Sequence, residues 1–168
     1  ESHGGPGIVG IMATLLGSTT PEQDRYLFMK SQVLFWLLAA PDGHAKHFSL
    51  VLRPGGSCEL TRLYDVLSAY PLLGEGPGKL SPHRARLAMA VRGKNAHWHL
   101  NKILRRHWQD VGTRYGIASP SGLTVDALIA KVVQHTPTAV HSVQQKLPQG
   151  FPQQVAQSIF DGLIQAAE

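Results

Sequence analysis

One glycine pair, Gly55-Gly56 in "RPGGSC", restricts the fold of this 168-residue chain more than any other feature. Tight hairpin turns need positive φ, which glycine reaches without a Cβ clash. Strand-like runs flank the pair, "FSLVLR" at 48–53 and "CELTRLY" at 58–64. A two-residue turn at the pair sets Phe48 opposite Leu63 and His47 opposite Tyr64. It returns Asp65 to the loop that leads into the first strand. That loop, in "PDGHAKHFSL" at 41–50, carries Asp42, His44, Lys46 and His47. The hairpin, taken as 48–64, therefore joins a polar loop at 41–49 to a second acidic segment at 64–69.

Helices are predicted around it. "IVGIMATLLG" reads as a short apolar helix ending near Gly17. In "TTPEQDRYLFMKSQVLFWLLAA", Thr20 suits the N-cap, Pro21 the first helical position, and Gln23 completes a capping-box pattern. Leu27, Leu34, Leu37 and Leu38 recur at helical spacing. After the loop-rich "SAYPLLGEGPGKLSP", helical patterns cover 81–92, 98–115 (stopped by Gly116), 124–135, 137–146 and 152–166. Thr124 and Thr136 are the N-caps expected there, the latter followed by Pro137. The expected fold is one domain over 1–168, mainly α with one small β-hairpin.

The 43% hydrophobic content supports a real core. "VLFWLLAA" is too short to span a bilayer, so no membrane association is expected. A single cysteine, Cys58, excludes an internal disulfide framework and fits a reducing, cytoplasmic setting.

Two carboxylates near a lysine suit phosphoryl transfer. One carboxylate accepts a proton from a hydroxyl nucleophile, the other holds Mg2+ on nucleotide phosphates, and the lysine offsets negative charge. Protein kinases place an Asp, an Asn about five residues later, a hairpin, then a metal-binding Asp. Here the order is Asp42, His47, the hairpin, Asp65. The competing reading is plain turn chemistry: Asp42-Gly43 as a turn after a helix, and Asp65 as a helix cap or a solvated strand end.

"LAAPDGHAKHFSLVL", "LTRLYDVLSAYPLLG" and "RLAMAVRGKNAHWHLNKILRRHW" resemble the C-terminal region of the HipA family of kinase-like toxins. The family loop reads D-[GA]-H-A-K-N-[FY]-S, followed by Y-D-[VI]-[LI]-S-A. Asp42, His44, Ala45, Lys46, Phe48 and Ser49 match the first pattern; Tyr64, Asp65, Ser68 and Ala69 match the second. The similarity runs from "GGPGI" to "GFPQQVAQSI". It implies the helical C-lobe of a protein-kinase-like fold, with ATP and Mg2+ as cofactors. Asp42 is then the catalytic base and Asp65 the Mg2+-binding Asp, with His44, Lys46 and Tyr64 beside the nucleotide. The implied partners are a helix-turn-helix, HipB-like antitoxin, operator DNA through that complex, and an aminoacyl-tRNA synthetase as protein substrate.

Two departures stand out. His47 occupies the position of the family's metal-binding Asn, and Mg2+ prefers oxygen ligands. No Gly-rich phosphate loop or strand-borne Lys precedes the catalytic loop, and "GGPGIVG" at 4–10 does not follow a strand. The N-lobe is thus expected to be absent, and the chain to bind ATP poorly by itself. The alternative function is a catalytically dead remnant that binds antitoxin or operator DNA. A His/Asp metallohydrolase is a third, weaker reading.

The net charge of +5 favours an anionic partner. No acidic residue lies between Glu75 and Asp110, a span containing Arg84, Arg86, Arg92, Lys94, Arg105 and Arg106. These are candidate phosphate contacts for nucleic acid, against the alternative of a solvated helical face. Nine histidines, including His97 and His99 around Trp98, show no closed zinc-ligand spacing, and His97, His99 and His107 are expected in packing.

Overall fold

The longest apolar stretch of the sequence forms the central helix. A computed structural model describes residues 4–168. Its first elements are α1 (Ile8–Thr14), α2 (Pro21–Leu37), β1 (Leu50–Leu52) and β2 (Cys58–Leu60). β3 (Arg86–Arg92), β4 (Ala96–His99), α3 (Arg105–Arg114), α4 (Val125–Gln144) and α5 (Gln153–Ala167) follow. About half of the chain is helical, and the strands form two separate antiparallel hairpins.

Pro21 starts α2, with Glu22 and Asp24 favourably placed in its positive first turn. The capping box expected from Thr20 and Gln23 does not form, since Thr20 makes no side-chain cap bond. The chain before α2 is tied elsewhere: the Thr19 amide and hydroxyl both donate to the Cys58 carbonyl, at 2.8 and 3.0 Å. Asp24 is buried and accepts the Leu60 amide at 3.1 Å, which fixes β2 against the helix. Phe28, Met29, Val33, Phe35 and Leu37 form the fully buried face of α2, whereas Leu27 is exposed.

Around α2 the core gathers Ile8 and Met12 of α1, Leu87, Met89 and Val91 of β3, Trp108 and Val111 of α3, and Leu128 and Ile129 of α4. α5 packs on α4 and covers a smaller cluster of Val140, Ala156 and Phe160.

Residues 81–92, expected as helix, contain β3 instead. Leu87, Met89 and Val91 enter the core while Arg86 and Arg92 stay exposed, the period-two pattern of a strand. β3 pairs with β4, so the helix expected from 98 begins only at Arg105. The fold therefore has two hairpins rather than one. The helices expected at 124–135 and 137–146 are one continuous α4 with Pro137 inside it. Thr124 caps it, accepting the Ala127 amide at 3.2 Å. Thr136 is no cap: it is buried mid-helix, and its hydroxyl donates back to the Val132 carbonyl at 2.9 Å.

His107 fastens the start of α3. Its Nδ1 accepts the Leu104 amide at 3.2 Å, and its ring stacks on His97 at 3.6 Å. Burial, then the charges of His97 and Arg106, hold its pKa below the ordinary imidazole range, with Asp110 opposing. The unfolded chain therefore takes up this proton at a higher pH than the folded one. The stability that His107 contributes is complete above about pH 6.5 and is lost as pH falls below that value. Urea midpoints should fall on acidification through this window, and His107→Gln should flatten the slope. An unchanged slope in the variant would assign the acid sensitivity to other groups.

Candidate active site

α2 ends where the polar loop begins. The Leu38 amide donates to Leu34 and the Ala40 amide to Phe35, at 2.9 and 2.8 Å, with Ala39 at φ 48° between them. Gly43 then lies directly on the Phe35 ring: a Cβ there would sit 2.3 Å from Cδ2. Only glycine permits this approach, so Gly43→Ala should cost about 1–3 kcal/mol by overpacking. A variant as stable as the parent in urea would show that the loop yields freely.

From Gly43 the chain turns through a short 3-10 segment, Ala45–His47, closed by the His47 amide on the His44 carbonyl at 3.0 Å. This turn brings two imidazoles together, tilted by 44° with the His44 and His47 ring centroids 4.2 Å apart. His44 Nε2 lies 3.5 Å from Asp42 Oδ1, and His47 Nε2 lies 3.3 Å from Asp65 Oδ2. Asp42, Lys46 and Asp65 are exposed, whereas His47 is buried.

The hairpin brings Asp65 to this loop, though in a different register from the expected one. Leu50 pairs with Leu60 and Leu52 with Cys58, a shift of one residue, and the strands are three residues each. The cause is Pro54. The Gly56 amide donates to the Arg53 carbonyl at 3.2 Å, so Pro54 and Gly55 (φ 87°) occupy the turn centre, a type II signature. Gly56 (φ 82°) is a third loop residue. Phe48 and His47 consequently do not pair with Leu63 and Tyr64. Tyr64 instead bridges the segments by its hydroxyl, which donates to the Lys46 carbonyl at 3.0 Å and contacts Ser49 Oγ at 2.7 Å. Asp65 itself takes a left-handed φ of 53° and lies between β2, which ends at Leu60, and a 3-10 turn at Tyr70–Leu72, so it neither caps a helix nor ends a strand.

Beyond Asp65 the chain is strapped to the end of α2. The Ser68 hydroxyl, the Ala69 amide and the Tyr70 hydroxyl donate to the carbonyls of Leu38, Ala39 and Leu37, at 2.7, 3.0 and 2.8 Å. These carbonyls have no helical partner, so the strap supplies the C-cap. Gly162 of α5 lies against the Tyr70 ring, where a Cβ would meet three ring carbons within 2.6 Å. Nothing in the sequence pattern marked Tyr70 or Gly162 as supports of the site; a serine and tyrosine flanking an alanine after the helix were the available signal.

The basic residues divide among three settings. Arg84, Arg86 and Arg92 line an open groove of about 1250 Å3 with Lys79 and Trp98. Lys94 and Arg106 border a smaller pocket of about 260 Å3 with His97, His107 and Asp110. Arg105 is paired with Asp126 at 2.6 Å, which lowers the pKa of that carboxyl. Among the described residues, no helix is long and apolar enough to cross a membrane.

Comparison with known proteins decides the family. The profile of the HipA-like C-terminal domain matches residues 2–140, most of the chain. The chain belongs to the HipA-like C-terminal domain family. A solved structure shares the fold: HipA of Shewanella oneidensis MR-1, from a toxin–antitoxin complex with HipB and operator DNA. That match has a TM-score of 0.77 at 18% identity and covers 98% of this chain but 36% of the longer HipA chain. The two hairpins and the central helix are thus the HipA-like C-terminal architecture.

Proposed function

We propose that this HipA-like domain carries the catalytic loop of an ATP- and Mg2+-dependent protein serine/threonine kinase in a toxin–antitoxin module. The observation that carries the reading is the placement of Asp42 and Asp65, from opposite sides of the hairpin, around one pair of adjacent, tilted imidazoles. Asp42 is exposed and free to receive a hydroxyl proton from a serine or threonine. Exposed Lys46 balances phosphate charge beside it.

The donor set fits Mg2+ through its oxygens. Mg2+ sites use one or two carboxylates, with phosphates and water completing the shell. Asp65 has one oxygen facing His47 and keeps the other for the ion. His47, in the place of the family Asn, acts in this reading by orienting Asp65. Bound Mg2+ would neutralise charge on the nucleotide phosphates. Tyr64 lends its ring to the nucleotide side, since its hydroxyl is engaged with Lys46 and Ser49. His44 lies beside the same loop.

The partners in this reading are a HipB-like helix-turn-helix antitoxin and operator DNA, as in the complex that contains the Shewanella protein. Arg84, Arg86 and Arg92 would contribute phosphate contacts from the basic groove. An aminoacyl-tRNA synthetase is the protein substrate that the family resemblance suggests.

Phosphate transfer from ATP tests the proposal, measured with the chain joined to the preceding lobe of a full-length HipA relative and repeated with Asp42→Asn. Transfer that depends on Asp42 supports the kinase. Antitoxin binding without ATP binding or transfer would support the non-catalytic alternative, a scaffold, which the His47 substitution favours.

A further inference from the structure

The loop that holds Asp42 contains more nitrogen than Mg2+ chemistry needs. One ligand atom from each of Asp42, His44 and His47 lies within 4.8 Å of the other two. Two imidazoles and a carboxylate are the donors that borderline divalent cations prefer, whereas Mg2+ selects oxygen.

The spacing also suits chelation. The 3.5 Å between His44 Nε2 and Asp42 Oδ1 is long for a hydrogen bond. It lies close to the edge of a tetrahedron with bonds of roughly 2.0–2.1 Å, which is about 3.4 Å. Nδ1 of His44 and Nδ1 of His47 are both buried without a hydrogen-bond partner. His47 as a whole is 8% exposed. Leaving a buried polar atom unsatisfied costs about 1–3 kcal/mol, so His47 Nδ1 calls for a ligand, while His44 offers its Nε2, the nitrogen beside Asp42, to the same ion. Asp65, facing His47 Nε2 at 3.3 Å, is placed as the carboxylate that orients a metal-binding histidine through its other nitrogen.

We propose that Asp42, His44 and His47 form a binding site for a borderline divalent cation of the Zn2+ and Co2+ class, with Asp65 orienting His47. Binding needs no nucleotide and stands independently of phosphoryl transfer. Its regulatory meaning alone rests on the kinase reading: a cation on Asp42 occupies the carboxylate that would accept the hydroxyl proton, so the site acts as a brake.

Calorimetric titration of the nucleotide-free chain with ZnCl2 tests the site, using wild type, His47→Asn, His44→Gln and, as a control, His97→Gln. One Zn2+ should bind wild type and the control alike. His47→Asn and His44→Gln should each weaken it by about 10–100-fold or more. Melting curves separate this from misfolding: metal-free His47→Asn should melt with wild type but lose the Zn2+-induced rise in Tm. Equal Zn2+ affinity in all four proteins, no binding to wild type, or displacement by equimolar Mg2+ would each overturn the proposal. Because no ATP is present, failure of the kinase reading leaves these outcomes unchanged.

Discussion

On the proposed kinase reading, Asp42→Asn in the chain joined to the preceding lobe of a full-length HipA relative is expected to lower phosphoryl transfer by about 10²–10⁴-fold, the usual worth of a positioned general base. The amide keeps the size of the carboxylate and loses its basicity. Asp42 is exposed, and its side chain meets His44 Nε2 at 3.5 Å without a short ion pair to hold it. Stability should therefore change by no more than about 0.5 kcal/mol. Single-turnover transfer and a urea melt on the same sample separate the two effects. A variant that keeps more than about a tenth of the rate would remove Asp42 from the role of base.

Trp108→Ala carries the largest expected stability loss, about 3–5 kcal/mol. Trp108 is fully buried on α3, tilted against Trp36 of α2 at 5.9 Å between ring centroids. Its truncation opens a cavity where α2, α3 and β3 meet. A domain of ordinary stability, about 5–15 kcal/mol, would lose a large share of that margin. The indole Nε1 is buried without a partner, so part of the ring's worth is offset by an unsatisfied donor. Trp108→Phe keeps most of the ring and removes that donor, and should cost clearly less than the alanine variant. Equal losses in the two variants would show that ring volume at this position carries none of the stability.

The sequence announced the central helix and the first hairpin because their signals are local. Pro21 sets a start, and two adjacent glycines set a turn. The register differs by one residue because Pro54-Gly55, not Gly55-Gly56, takes the centre of the turn, as a Pro-Gly pair prefers the type II positions. β3 was hidden by its own residues. In "RLAMAVR" the second face of the strand carries alanines at 88 and 90, the latter fully buried, so large and small apolar residues alternate where polar and apolar would. Ala, Leu and Met also favour helices in isolation, and pairing with β4 overrides that preference. Pro137 misled in the opposite sense, since packing carries α4 through a residue that ordinarily starts or ends a helix. Asp42 and Asp65 were visible as motif residues. The buried state of His47 and the strap behind Asp65 were not, because both arise from tertiary contacts, the strap from the carbonyls that α2 leaves open.

That strap makes the site and the helices a single thermodynamic account. Ser68, Ala69 and Tyr70 hold the end of α2, and Gly162 seats Tyr70 on α5. Any ligand that gains affinity by fixing residues 64–70 must return the same free energy to those contacts, since coupling between sites is reciprocal. Loosening α5 from Tyr70 should then weaken binding at Asp65 by the same factor by which occupancy of Asp65 holds α5 in place. Deuterium exchange at the Ala69 amide, which sits between the two, reads that factor directly.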